Sequence, residues 1–160
     1  MAKTYRLAYG EKFLEFSDDK VIFCATTKHI STLPDPVQLI DDALDTPYGT
    51  PPLERIVKPG DRVALIVDDI TRPTPRRLLL DRVTKRLETI PQLSISIILA
   101  LGTHRPMSAE EIAEDLGPFS QRYPVVNISY LDKERFAVAG EMPNGTPIHV
   151  YKEVLEADVV

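Results

Sequence analysis

The sequence predicts an α/β domain in which a largely parallel sheet is flanked by helices, with an N-terminal β-hairpin region and a truncated C-terminal edge. Three observations predict it. A continuous apolar run at 63–67 and a second buried strand at 93–101 each lead through a polar loop into a helix with recognisable caps, the pattern of parallel strands joined by crossovers. The first 25 residues instead alternate apolar with polar or small side chains, as antiparallel strands do. The last four residues, Ala157, Asp158, Val159 and Val160, read as the start of one more buried strand.

In chain order, Tyr5, Leu7 and Tyr9 form one alternating strand. Gly10 and Glu11 turn the chain into Phe13, Leu14, Glu15 and Phe16, and Val21, Ile22 and Phe23 follow as a further strand. Asp35 and Pro36 are an N-cap and a first-turn proline, with Val37, Ile40 and Leu44 at helical spacing behind them. A loop at 47–52 leads to a short helix through Leu53 and Ile56. The run 63–67 is expected to be a strand buried on both faces, and Thr74 and Pro75 open a helix to about Leu87 with Leu80, Val83 and Leu87 on one face. After the second strand, Ser108 and Glu111 frame a capping box whose helix stops at Gly117. Residues 125–130 are a third strand, 136–139 and 148–151 a hairpin around Pro143, Asn144 and Gly145, and 153–156 a single helical turn.

A chain of 160 residues suffices for one domain, 1–160, that buries roughly 70% of its unfolded surface. Ending on a nascent strand, it is expected to be the N-terminal portion of something longer. No apolar run approaches the ~20 residues of a membrane helix, and the N-terminus has no secretory signal, so a cytoplasmic protein without a membrane partner is expected. Cys24 stands alone, which excludes an intrachain disulfide and a cysteine-rich metal site; it is expected to pack as a small hydrophobe. A net charge of -5 argues against nucleic acid and favours a small-molecule partner.

Ligands of open α/β sheets bind at the carboxyl ends of the strands. Two loops leave the sheet there, one carrying Asp69, Ile70, Thr71 and Arg72, the other Thr103, His104 and Arg105. Arg72 can grip a phosphate or carboxylate with two parallel bonds, beside helix N–H groups fixed by Pro73, Thr74 and Pro75. Asp69 either accepts bonds from ligand hydroxyls, holds Arg72, or caps a turn with Arg72 as a surface partner. His104, whose free pKa near ~6.5 suits proton exchange at neutral pH, is either a general acid/base or an ordinary loop histidine. An aspartyl-phosphate site is rejected, because the adjacent Asp68 and Asp69 point to opposite faces of an extended strand. His29 and His149 have no metal-ligand spacing and are expected to be surface or packing residues. Arg76, Arg77, Arg82, Lys85 and Arg86 read as a solvated basic helix face with a favourable Asp81–Lys85 pair.

Taken in order, the segment from Asp69 to Pro75 and the segment Ala100, Leu101, Gly102, Thr103, His104, Arg105, Pro106 resemble the N-terminal half of the lactate racemase family. Leu7 to Gly10, Asp45 to Gly49 and Leu155 to Val160 are similar too, so the resemblance spans nearly the whole chain. It implies an isomerase that racemises or epimerises 2-hydroxy acids with a nickel-pincer nucleotide as hydride acceptor and two histidines as acid/base groups. It implies His104 as the first catalytic histidine and Asp69, Ile70, Thr71 and Arg72 as the cofactor-contacting segment. Ile70 departs from the histidine of a family member, leaving a backbone contact at that position. The cofactor-attaching lysine, the nickel-binding histidine and the second catalytic histidine are expected beyond residue 160, in a C-terminal part that is this portion's partner. The 160 residues alone are then expected to be inactive and free of nickel, with no metal ligand among them. The alternative from the residues themselves is a non-catalytic phosphate- or nucleotide-binding α/β module, and a third is a partner-binding structural domain.

Overall fold

The computed structural model describes residues 3–25 and 34–160, and His29 lies outside them. The chain divides into two units, Met1–Leu33 and Pro34–Val160.

In the first unit, β1 (Thr4–Tyr9) pairs antiparallel with β2 (Lys12–Ser17). The register sets Tyr5 opposite Phe16 and Leu7 opposite Leu14, so the alternating apolar side chains share one face. Gly10 takes the positive φ of 59° that a tight two-residue turn needs at its first position. The expected strand at 21–23 does not form. A 3₁₀ turn over Asp18–Lys20 follows β2, and among the described residues no strand lies beside Val21, Ile22 and Phe23 to complete a ladder. Cys24 is exposed rather than packed.

The second unit opens with α1 (Pro36–Asp45), capped by the Asp35 side chain on Val37 N–H, and α2 (Leu53–Ile56). Its sheet has the order β3 (Arg62–Asp68), β4 (Ser94–Ala100), β5 (Val125–Val126), all parallel. The crossovers are α3 (Arg76–Leu87) between the first pair, and α4 (Ala109–Leu116) with α5 (Phe119–Arg122) between the second. The capping box is complete, with Ser108 and Glu111 satisfying each other's N–H groups, and Gly117 ends α4 at φ 57°. A hairpin of β6 (Phe136–Glu141) and β7 (Pro147–Tyr151) and a last helix, α6 (Lys152–Glu156), complete the elements. Among the described residues no helix is long and apolar enough to cross a membrane.

The core lies on one face of the sheet. Ile97, Leu99 and Leu101 pack there against Leu80, Met107, Leu116 and Phe119, and a second cluster joins Val63 and Leu87 to Val57. The opposite face is covered unevenly, and Ile66 is 48% exposed. The apolar run at 63–67 is therefore not a strand buried on both sides. Among the described residues its free edge is met at one end alone, where Val159 bridges Val63 in parallel and its carbonyl accepts from Ala64 N–H at 2.9 Å, as the apolar chain end suggests.

The third strand is two residues rather than six. At Asn127 the carboxamide takes over, accepting from Met107 N–H at 3.1 Å and donating to Met107 C=O at 2.7 Å. A side chain thus supplies the partner that a strand backbone would have supplied. The basic face of α3 is likewise less solvated than its charges imply. Arg82 pairs with Asp41 at 2.7 Å, and Arg86 with Asp45 and Glu54 at 2.6 and 3.2 Å, tying α1 and α2 to α3. Only the Lys85–Asp81 pair, at 2.8 Å, is the expected surface contact along the helix.

Candidate active site

Asp68 and Ala100 are register partners at the carboxyl ends of β3 and β4, so the segments that follow leave the sheet side by side. The apolar faces of the two strands set this edge, and two turns decide what stands on it. In the first turn Asp69 is pulled inward until it is 4% exposed. Its Oδ1 accepts from Thr71 N–H at 3.1 Å and from the Thr71 hydroxyl at 2.6 Å, while Arg72 N–H donates to its carbonyl at 3.2 Å. In the second turn Gly102 adopts φ 58°, and His104 N–H closes back on Leu101 C=O at 2.9 Å.

These turns bring the imidazole to the carboxylate. His104 Nδ1 lies 2.5 Å from Asp69 Oδ2, and the His104 side chain is half exposed. The Thr71 hydroxyl is the main influence holding the Asp69 carboxyl down at about 2; burial opposes it, and His104 and the Thr71 N–H add to the lowering. Asp69 is therefore ionised at neutral pH and can only accept. Nδ1 must carry the proton of this bond, and in the neutral ring Nε2 is the basic nitrogen. Among the described residues Nε2 has no hydrogen-bond partner, so it is open to a ligand.

Asp69 also makes this edge acid-sensitive. Its folded value near 2 lies below the ~3.9 of an unfolded aspartate, so its stabilisation is complete above about pH 4 and lost as pH falls through 2. We expect urea unfolding of the wild type and of Asp69→Asn to differ by on the order of 2 kcal/mol at pH 6, with the gap closing between pH 4 and 2. A gap that stays constant through that window would show that Asp69 is not the group responsible.

The other named residues fall unequally. Ile70, Thr71 and Arg72 are exposed, and among the described residues the Arg72 guanidinium enters no ion pair and no hydrogen bond with the Asp69–His104 cluster. Arg105 is committed elsewhere, to Glu111 at 2.6 and 2.8 Å; Arg105 is also the chief cause that holds the Glu111 carboxyl near 2. Just before α3 a carboxylate of the chain itself is held, since Asp68 accepts from the Thr74 hydroxyl at 2.5 Å and from the Arg76 side chain at 2.9 Å. Beside the first turn lies an open groove of about 500 Å³ lined by Ile70, Thr74, Arg76, Arg77, Glu114 and Asp115 among others. His104 and Arg72 stand outside it. His149 is exposed on β7, away from this cluster in the chain's ladder with Val138.

One residue the sequence reading misjudged is Arg76. It was expected on a solvated helix face, yet it is 7% exposed and pairs with Asp68 at 2.9 Å and with Asp115 at 2.6 Å. A signal existed: Arg76 is the first residue of α3, where the helix dipole disfavours a cation unless carboxylates answer it.

The Arg72 guanidinium is exposed at a strand end and, among the described residues, has no ion-pair or hydrogen-bond partner, chemistry that fits an anionic group such as a phosphate. Among the described residues no three His, Cys, Asp or Glu side chains gather as a metal site.

Residues 8–160 match the family model described as the lactate racemase N-terminal domain. A lactate racemase of Lactiplantibacillus plantarum is 28% identical over 126 residues, covering 77% of this chain and 30% of the relative. A lactate racemase of Thermoanaerobacterium thermosaccharolyticum is 27% identical over 127 residues, covering 76% and 29%. The solved lactate racemase apoprotein from Thermoanaerobacterium thermosaccharolyticum superposes with a TM-score of 0.80 at 21% identity, covering 98% of this chain and 38% of that one, a likeness of fold. The chain thus spans about 30% of the length of the curated relatives it matches.

Proposed function

The chain belongs to the lactate racemase N-terminal domain family, and on that premise we propose that it supplies one acid/base group, His104, to a racemase or epimerase of 2-hydroxy acids. The observation that supports this most is the 2.5 Å contact of His104 Nδ1 with a buried, ionised Asp69, which leaves Nε2 as an exposed base at the strand ends.

Inverting the carbon that bears the hydroxyl requires its C–H bond to break and re-form on the other face. Removing hydrogen as hydride is easiest when the hydroxyl loses its proton in the same step, giving a 2-keto acid. The nickel-pincer nucleotide, when bound, supplies the acceptor for that hydride. His104 Nε2 takes the hydroxyl proton, and the Asp69 carboxylate steadies the imidazolium that results and fixes the ring plane. For the opposite hand the roles reverse: the second histidine expected beyond residue 160 would take the proton, and His104 Nε2 would give one to the oxygen. Asp69 and Thr71 order the turn while Ile70, Thr71 and Arg72 would face the cofactor, with the Arg72 fork on its phosphate. The 160 residues by themselves are expected to be inactive, since they correspond to less than a third of the relatives' length.

The test is to incubate the whole, cofactor-loaded protein with single enantiomers of a panel of 2-hydroxy acids deuterated at C2, lactate included. Interconversion with the label retained is the expected result, because hydride leaves and returns without meeting water. Exchange of the label with solvent would replace hydride transfer by proton abstraction. No interconversion anywhere in the panel would leave the non-catalytic nucleotide-binding module as the reading.

A further inference from the structure

The Asp69–His104 pair does not hold itself in place. Directly beneath it, at the start of α3, Arg76 spends every nitrogen of its guanidinium on the turn and on α4. Nη1 lies within bonding distance of three oxygens: Asp68 Oδ1 at 2.9 Å, the Asp69 carbonyl at 2.9 Å and the Arg72 carbonyl at 3.1 Å. Nε and Nη2 grip the two oxygens of Asp115 at 2.7 and 2.6 Å. The carbonyls of Asp69 and Arg72 are the two ends of the turn whose interior holds the Asp69 side chain. One planar, buried cation therefore bolts that turn to the end of α4, which the buried Leu116 anchors in the core.

We propose that Arg76, fixed by Asp115, is a positioning residue that sets the tautomer of His104 by holding the Asp69 turn in register with it. This rests on the reading of His104 as the base. Arg76 touches neither the imidazole nor the Asp69 carboxylate, and acts only through the backbone of the turn. Shape matters as much as charge. A lysine at this position offers three donors at one point, which cannot span Asp115 and the two carbonyls together. Without the clamp, the carbonyls of Asp69 and Arg72 lose their shared donor, the turn relaxes, and the short contact from Asp69 to Nδ1 opens.

The imidazole tautomer reads this directly, by long-range proton–nitrogen NMR of the chain at a pH where the ring is neutral, with the His104 signals assigned from His104→Gln. Wild type is expected to show the proton on Nδ1, and Asp69→Ala to lose that preference. Arg76→Lys and Asp115→Asn are expected to shift toward the Asp69→Ala pattern, although one keeps the positive charge and neither alters Asp69. Leu87→Val is the control for general loosening, since Leu87 lies in the other core cluster at the far end of α3. It should lower thermal stability and leave the tautomer alone. The proposal is overturned if folded Arg76→Lys and Asp115→Asn keep the wild-type tautomer, or if Leu87→Val moves it as far as they do. Absence of racemisation by the whole protein would refute the functional reading while leaving this measurement to stand or fall alone.

Discussion

Replacing His104 with alanine in the whole protein is expected to lower racemisation by about 10²–10⁴-fold, the range a positioned general acid/base contributes, with the cofactor retained. The size follows from the absence of a substitute. Asp69 is spent on Thr71 and His104, and Arg105 on Glu111, so among the described residues no neighbouring group at this edge is ready to take the hydroxyl proton in place of His104. The fold should survive, because the His104 side chain is half exposed and its turn is closed by backbone atoms and Gly102. Steady-state kinetics in both directions, with a count of bound cofactor, checks the expectation. Undiminished turnover would remove His104 from the mechanism.

Arg76→Met is expected to destabilise the fold by about 3–5 kcal/mol, the cost of removing one partner from a buried ion pair. Methionine fills much of the volume, so the loss is electrostatic. The Asp115 carboxylate, 13% exposed, is left with no ion-pair partner among the described residues, and the turn carbonyls lose their donor. Asp68 suffers less, since it is 34% exposed and keeps the Thr74 hydroxyl. Removing both buried charges together, in Arg76→Met with Asp115→Leu, should recover most of the loss, because desolvating a pair costs nearly what its attraction returns. Urea unfolding at neutral pH distinguishes these outcomes. A single variant within 1 kcal/mol of wild type would mean that water already screens the pair.

Much of this architecture is legible along the chain, wherever a local rule acts alone. The capping box at Ser108 and Glu111, the stop at Gly117, the Asp35 cap and the parallel strands at 62–68 and 94–100 all follow from residues within a few positions of one another. Failures occur where a distant partner outranks local preference. Val21, Ile22 and Phe23 have β-forming side chains and, among the described residues, no neighbouring strand. Residues 127–130 have the right alternation, but Asn127 spends its side chain on Met107 and the ladder stops. Ile66 sits in an apolar run and is half exposed, because its face of β3 is covered unevenly, and among the described residues Asp158 and Val159 meet the free edge of that strand at its start alone.

The edge proposed to carry the chemistry was legible as well, since two strand exits and their polar loops can be read from spacing alone, and parallel pairing puts them together. Which atoms meet there could not be read, because residues 35 positions apart are related only by the packing between them. Asp69 turning to His104 instead of to Arg72 depends on a side-chain turn with Thr71, and Arg76 leaving the solvent depends on Asp115 arriving from another helix. Periodicity and caps express the chain's interaction with itself over a few residues. Charge pairing and burial are properties of the assembled molecule, in which the same arginine is costly alone and stabilised once carboxylates and carbonyls surround it.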